Sequence, residues 1–216
     1  MAARTPIPES LRRHLTPDEI NAMPLCRYEG PVHVVRNLED WAGVLDDLKA
    51  APVLGFDTET RPTFRKGKVN SPALVQLATE NAVYLIQLAW LPFGPHLAEI
   101  LADPAILKAG VGIRFDMISL ARLSPFRPAG LVDLGSAARM NGLSSQGLRT
   151  LTADLFQLRI SKGSQCSNWS LMELSARQIV YAATDAWIGR RIYLRMVELG
   201  FSMPPPAAFD PEDEKA

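Results

Sequence analysis

Val53-Leu54-Gly55-Phe56-Asp57-Thr58-Glu59 is an apolar run that turns acidic at its final residues. Its apolar part lacks polar alternation, the pattern of a central strand covered on both faces and not of a solvated edge. Residues two apart on a strand project from the same face, so the carboxylates of Asp57 and Glu59 point at one spot. Two ionised carboxylates facing each other beside a core are costly unless something positive neutralises them. A hard divalent cation, which prefers oxygen ligands, is the economical neutraliser.

The first thirty or so residues are punctuated by Pro6, Pro8, Pro17, Pro24 and Pro31 and read as an arm with at most a short helix. Thr16-Pro17-Asp18-Glu19 carries a helix-start pattern, with Thr16 as N-cap and Glu19 at the capping-box position. Val32 to Val35 reads as a strand, and Asn37 caps an amphipathic helix from Leu38 to Lys49. Beyond the Val53 strand, Ala73–Ala78 and Ala82–Leu88 read as a hairpin across Thr79-Glu80-Asn81. Further strands are expected at Lys108–Val111 and Leu131–Leu134. Helices are expected from Leu97 to Leu101, Phe115 to Leu123, Gln146 to Phe156 and Ala176 to Leu199. Together these predict an α/β fold, a mixed β-sheet flanked by helices, in a single domain over residues 31–200. An N-terminal arm at 1–30 and a disordered acidic tail at 201–216 flank it, the tail beginning around Pro204-Pro205-Pro206.

A chain of 216 residues with 47% apolar and 21% charged residues can bury an ample core. Net charge is +0, which excludes a global basic field as the means of attracting nucleic acid. The acids are concentrated at the end, and leaving out residues 209–216 gives 22 basic against 19 acidic residues. Nucleic-acid binding would therefore come from local patches. Cys26 and Cys166 have no metal-ligand spacing and predict no disulfide framework. The sequence carries no secretory leader pattern and no apolar run of membrane-spanning length, so a cytoplasmic location is expected.

Two more acidic positions stand out. Asp116 follows the strand end Gly110-Val111-Gly112, where an α/β sheet displays functional groups, although an acid in a helix first turn is also favoured by the macrodipole. Tyr181 and Asp185 are four apart on a strong helix and share one face, with small neighbours Ala182, Ala183 and Ala186 that let the helix lie close to the sheet. Alone, a Tyr-x-x-x-Asp is a weak signal. In sequence order, Phe56-Asp57-Thr58-Glu59, Gly112-Ile113-Arg114-Phe115-Asp116 and Tyr181-Ala182-Ala183-Thr184-Asp185 resemble the three motifs of the DEDDy-type 3′–5′ exonucleases. That family includes ribonuclease D, proofreading domains and the exonuclease domain of the Werner syndrome protein. The chain is most similar to the Werner-type branch, through Arg61-Pro62-Thr63-Phe64-Arg65-Lys66-Gly67, Cys166-Ser167-Asn168-Trp169 and the alanine-rich last motif. Many relatives have asparagine where Gly112 stands; the Werner-type branch resembles this chain there.

The resemblance implies a ribonuclease-H-like fold and hydrolysis of a terminal phosphodiester with two divalent cations, Mg²⁺ or Mn²⁺. It implies Asp57 bridging both ions, Glu59 and Asp185 completing the site of the ion that activates water, and Asp116 supporting the other. It gives Tyr181 the role of holding the nucleophilic water. The implied partner is DNA and/or RNA with a free 3′ end, and the implied products are nucleoside 5′-monophosphates.

Arg61, Arg65, Lys66 and Lys68 form a basic loop after the first motif and are candidate phosphate contacts, although a basic run is usually a solvated surface. Phe64 among them suits stacking on an unpaired base and equally suits anchoring the loop. Arg159 and Lys162 offer a second patch, Trp169 reads as a loop anchor, and Asp133 as a structural acid near a helix start. Two alternatives remain open on the residues alone: a catalytically weak nucleic-acid-binding module of the same fold, and a two-metal phosphatase or nucleotidase.

Overall fold

A six-stranded sheet runs, in spatial order, β1 (Val32–Val35), β4 (Val83–Gln87), β3 (Pro72–Ala78), β2 (Val53–Thr60), β5 (Leu107–Gly110) and β6 (Leu131–Asp133). The computed structural model describes residues 8, 11–63 and 70–211. β3 lies antiparallel between β2 and β4, and the other pairings are parallel, so the sheet is mixed. The Val53 run occupies the interior of this order, as its unbroken apolarity predicts.

Alternate residues of β2 face opposite layers. Leu54 and Phe56 pack with residues of α3 (Leu45–Ala50), α4 (Pro95–Ala102) and α5 (Ile113–Ala121). Gly55 faces the long helix α8 (Ala176–Glu198), which a capping box between Ser175 and Gln178 starts. A Cβ at Gly55 would stand 1.9 Å from the Ala186 carbonyl oxygen, so only glycine lets α8 come this close. Ala182, Ala183, Ala186 and Gly189 continue that close seam, all buried. The register shifts between Glu59 and Thr60, ending regular pairing just past the two acids.

The helix expected over Leu38–Lys49 is two short ones, α2 (Leu38–Ala42) and α3, separated at Gly43-Val44. Glycine is the poorest helix former after proline, and the break lets Trp41, Val44 and Leu48 all bury. A helix given no range from the sequence, α6 (Leu134–Met140), begins where Asp133 accepts from Ser136 N–H at 2.7 Å as N-cap. The other Asp133 oxygen accepts from Gly112 N–H at 2.6 Å, fixing the turn into α5. Asp133 is the structural acid its position suggested.

Residues 11–29 lie against the domain. α1 (Pro17–Ala22), with its Thr16–Glu19 capping box, buries Ile20 against Ala153 of α7 (Leu148–Phe156). Beyond α1, Arg159 N–H donates to Pro24 O at 3.0 Å, Cys26 N–H donates to Arg159 O at 2.8 Å, and Tyr28 N–H donates to Thr184 Oγ1 at 3.0 Å. In the stretch expected to be a disordered tail, Phe201 is buried, and Ala207 exchanges two backbone hydrogen bonds with Leu131, covering the sheet edge. Residues 212–216 of that stretch lie outside the described residues. No described helix is long and apolar enough to cross a membrane.

Candidate active site

Asp57 and Glu59 project from the end of β2 toward α8, where Tyr181 and Asp185 stand one turn apart. All four line one cleft of about 380 Å³. Burial raises the Asp57 carboxyl well above its ordinary value, and the neighbouring Asp185 and Asp116 raise it further. Burial, then repulsion from Asp57, Asp185 and Asp116, pushes Glu59 up to about 9. Asp185 is pushed up to about 7 by burial, against the hydrogen bond it accepts from Tyr181. The Tyr181 hydroxyl is itself raised, by burial first and then by Asp185 and Glu59, and so stays protonated. Asp185 Oδ1 is buried with no hydrogen-bond partner.

Asp116 approaches from the other face. Thr58, between the two acids of β2, points toward α5, and its hydroxyl donates to Asp116 Oδ1 at 2.5 Å. The Thr58 N–H donates to Asp57 Oδ1 at 2.9 Å. One threonine thus ties the carboxyls of both faces to the strand end. Burial raises Asp116, opposed by this hydroxyl. Among the described residues, no basic side chain offsets the raised values of the four acids.

As they stand, no three described His, Cys, Asp or Glu side chains converge on a metal position. The donor set nevertheless fits a hard cation: four acids within mutual electrostatic reach, each held toward protonation, and one carboxylate oxygen left without a partner. The N-terminus of α7 opens on the same cleft through Gly147–Thr150, and Gly147 provides no side-chain cap, leaving amide N–H groups available to an anion.

Lys162 lines the cleft, beside Ser161 and Gln165. Arg61 is exposed at the end of β2, and its backbone carbonyl accepts from Asn70 at 2.8 Å. Phe64, Arg65, Lys66 and Lys68 lie outside the described residues. Arg159 is not a free surface cation, since its Nε donates to Met23 O at 3.0 Å and helps fasten the N-terminal segment. Trp169 is fully buried and packs 5.9 Å from the Tyr181 ring, an anchor for the loop before α8. Polar residues beside the site were missed, among them Thr58, Gln76 and the cleft-lining Arg149. Thr58 lies inside the first motif, and Gln76, the cross-strand partner of Asp57, is fully buried with neither amide atom bonded. A glutamine inside the apolar run Ala73–Ala78 was the available signal for Gln76.

The family model described as a 3′–5′ exonuclease matches residues 32–199. The chain is 31% identical over 188 residues to the mouse bifunctional 3′–5′ exonuclease/ATP-dependent helicase WRN, covering 82% of this chain and 13% of that protein. It is 33% identical over 171 residues to ribonuclease D of Gluconacetobacter diazotrophicus, covering 76% and 42% respectively. The chain therefore spans less than half the length of either relative. Among solved structures, the Aedes aegypti Nibbler EXO domain superposes with a TM-score of 0.72 at 24% identity, covering 89% of this chain and 97% of that one. That likeness concerns the fold, which is ribonuclease-H-like as expected. With the matched region spanning all six strands and the three acidic motifs, the chain belongs to the 3′–5′ exonuclease family.

Proposed function

We propose that the chain hydrolyses the 3′-terminal phosphodiester of DNA and/or RNA in a metal-dependent reaction, releasing nucleoside 5′-monophosphates. The observation that carries this is the set of buried acids whose mutual repulsion no described basic side chain relieves. Asp57, Glu59, Asp116 and Asp185 would hold two divalent cations, Mg²⁺ or Mn²⁺. Bound there, the ions would supply charge stabilisation at the phosphoryl oxygens and a water of lowered pKa. Tyr181, kept protonated, offers its hydroxyl to orient that water, which is positioning and not proton abstraction. Thr58 holds Asp57 and Asp116 in place, while Lys162 and the α7 amides meet the phosphate from the opposite wall.

A 5′-labelled oligonucleotide tests the reading. A ladder shortening from the 3′ end in Mg²⁺ or Mn²⁺, absent in chelator, is expected. Binding without shortening would instead indicate a non-catalytic module. Tyr181→Phe should lower kcat by about 10- to 100-fold with little change in KM, as expected for a group that acts in the transition state. An equal loss through KM would reassign the tyrosine to substrate binding or packing.

The acids also set a pH dependence. Glu59 titrates near 9 when folded against 4.5 unfolded, and Asp57 and Asp185 are raised too. Across that window the folded chain retains protons that the unfolded chain has released, so metal-free stability falls as pH rises. Thermal melts in chelator should show this decline, and saturating Mg²⁺ or Mn²⁺ should flatten it. A profile unaffected by the cation would count against metal binding at these acids.

A further inference from the structure

A second cleft, of about 520 Å³, meets the acidic one and shares Ser161, Tyr181 and Asp185 with it. One wall is Leu25, Cys26 and Arg27; the facing wall is the start of α8, with Arg177 and Val180. Its size falls within the range of small-ligand pockets, roughly 300–1,000 Å³. The N-terminal wall is fastened in place by the Cys26–Arg159 and Tyr28–Thr184 hydrogen bonds. Residues 25–27 precede the region that the family model matches.

The cleft combines two kinds of surface. Leu25 is 51% exposed and Val180 37%, so apolar area is left uncovered. Arg27 and Arg177 add two exposed guanidinium groups. Among the described residues, Arg27 pairs only with the exposed Glu29, at 3.1 Å, a surface contact of little energy. Arg177 makes no ion pair among the described residues. Apolar area for a base beside cations for phosphates is the recipe for holding a single strand.

A terminal phosphodiester lying at Asp57 and Asp185 leaves the rest of its strand to be placed, and among the described residues the second cleft is continuous with the acidic one and carries both features. We propose that it holds the nucleotides on the 5′ side of the scissile bond, with a base against Leu25 and Val180 and phosphates toward Arg27 and Arg177. This rests on the exonuclease reading and assigns that site a single-stranded substrate track built partly by the N-terminal segment.

The test compares full-length wild type with the doubly substituted Arg27→Ala/Arg177→Ala protein on a dinucleotide and on a long single strand. A dinucleotide places one base on the 5′ side of the scissile bond but no further phosphate for Arg27 and Arg177. The ratio of kcat/KM for the long strand to that for the dinucleotide is expected to fall about tenfold, since charge-assisted contacts to phosphate are lost. The salt dependence of long-strand binding should become shallower by about 1.4 in log–log slope, at roughly 0.7 per phosphate contact on a single strand. An unchanged ratio with an unchanged salt slope overturns the proposal, as does an equal loss on both substrates. If wild type shortens neither substrate, the exonuclease reading fails separately. Fluorescence anisotropy of the long strand on the same two proteins then still decides the cleft, with equal affinities overturning it.

Discussion

Asp57→Asn is expected to lower exonuclease activity on the order of a thousandfold or more while raising the melting temperature of the metal-free protein. Both effects have one cause. Asp57 stands where burial, Asp185 and Asp116 all oppose its charge, so a neutral amide of the same shape relieves repulsion. The same charge is what a cation would neutralise, so the variant loses the feature that recruits it. Glu59 should then titrate closer to the ordinary carboxylate range, because Asp57 is the foremost charge raising it. Destabilisation together with lost activity would point to a structural acid. Retained activity would remove Asp57 from the chemistry.

Gly55→Ala is expected to act in the opposite sense on stability. Its Cβ would stand 1.9 Å from Ala186 O and 3.0 Å from Arg190 Cβ, and the first of these is helix backbone that cannot rotate away. Either α8 moves off β2 or the strand bends, at a cost of about 3 kcal/mol or more. Moving α8 also carries Tyr181 and Asp185 away from Asp57 and Glu59, and strains the bond that Arg190 Nε donates to Val53 O at 3.1 Å. Stability and activity should therefore fall together, measured by denaturant unfolding and by strand shortening. A variant with wild-type melting and turnover would show that the seam tolerates a methyl group and that helix spacing does not set the site.

The parts of this arrangement that were legible in the sequence are those governed by local period. Two acids at spacing two on a strand, and a tyrosine and an acid at spacing four on a helix, each define a face without knowledge of the fold. The helix starts at Thr16 and Asn37 rest on caps that operate within three residues. What escaped depends on contacts distant in sequence. The hydroxyl of Thr58 meets Asp116 across 58 positions, and Arg159 spends its Nε on Met23 across 136. A basic residue looks like a surface cation until its backbone partner is known. Lys108 illustrates this most plainly: it is a fully buried strand residue whose Nζ donates to the carbonyls of Ile100, Asp103 and Ile106 at 3.2, 2.7 and 2.6 Å. The proline-rich ends looked unstructured because proline suppresses regular elements, yet Pro24–Tyr28 and residues 201–211 dock through backbone hydrogen bonds and a few buried side chains.

The most direct measurement is Mn²⁺ uptake by the metal-free protein at neutral pH, followed by electron paramagnetic resonance with a single strand whose terminal linkage resists hydrolysis. Saturable binding of two ions per chain is expected, with release of protons from the raised carboxyls as they bind and loss of both in Asp57→Asn. No saturable uptake, or uptake that Asp57→Asn leaves unchanged, would contradict two-metal binding at these acids.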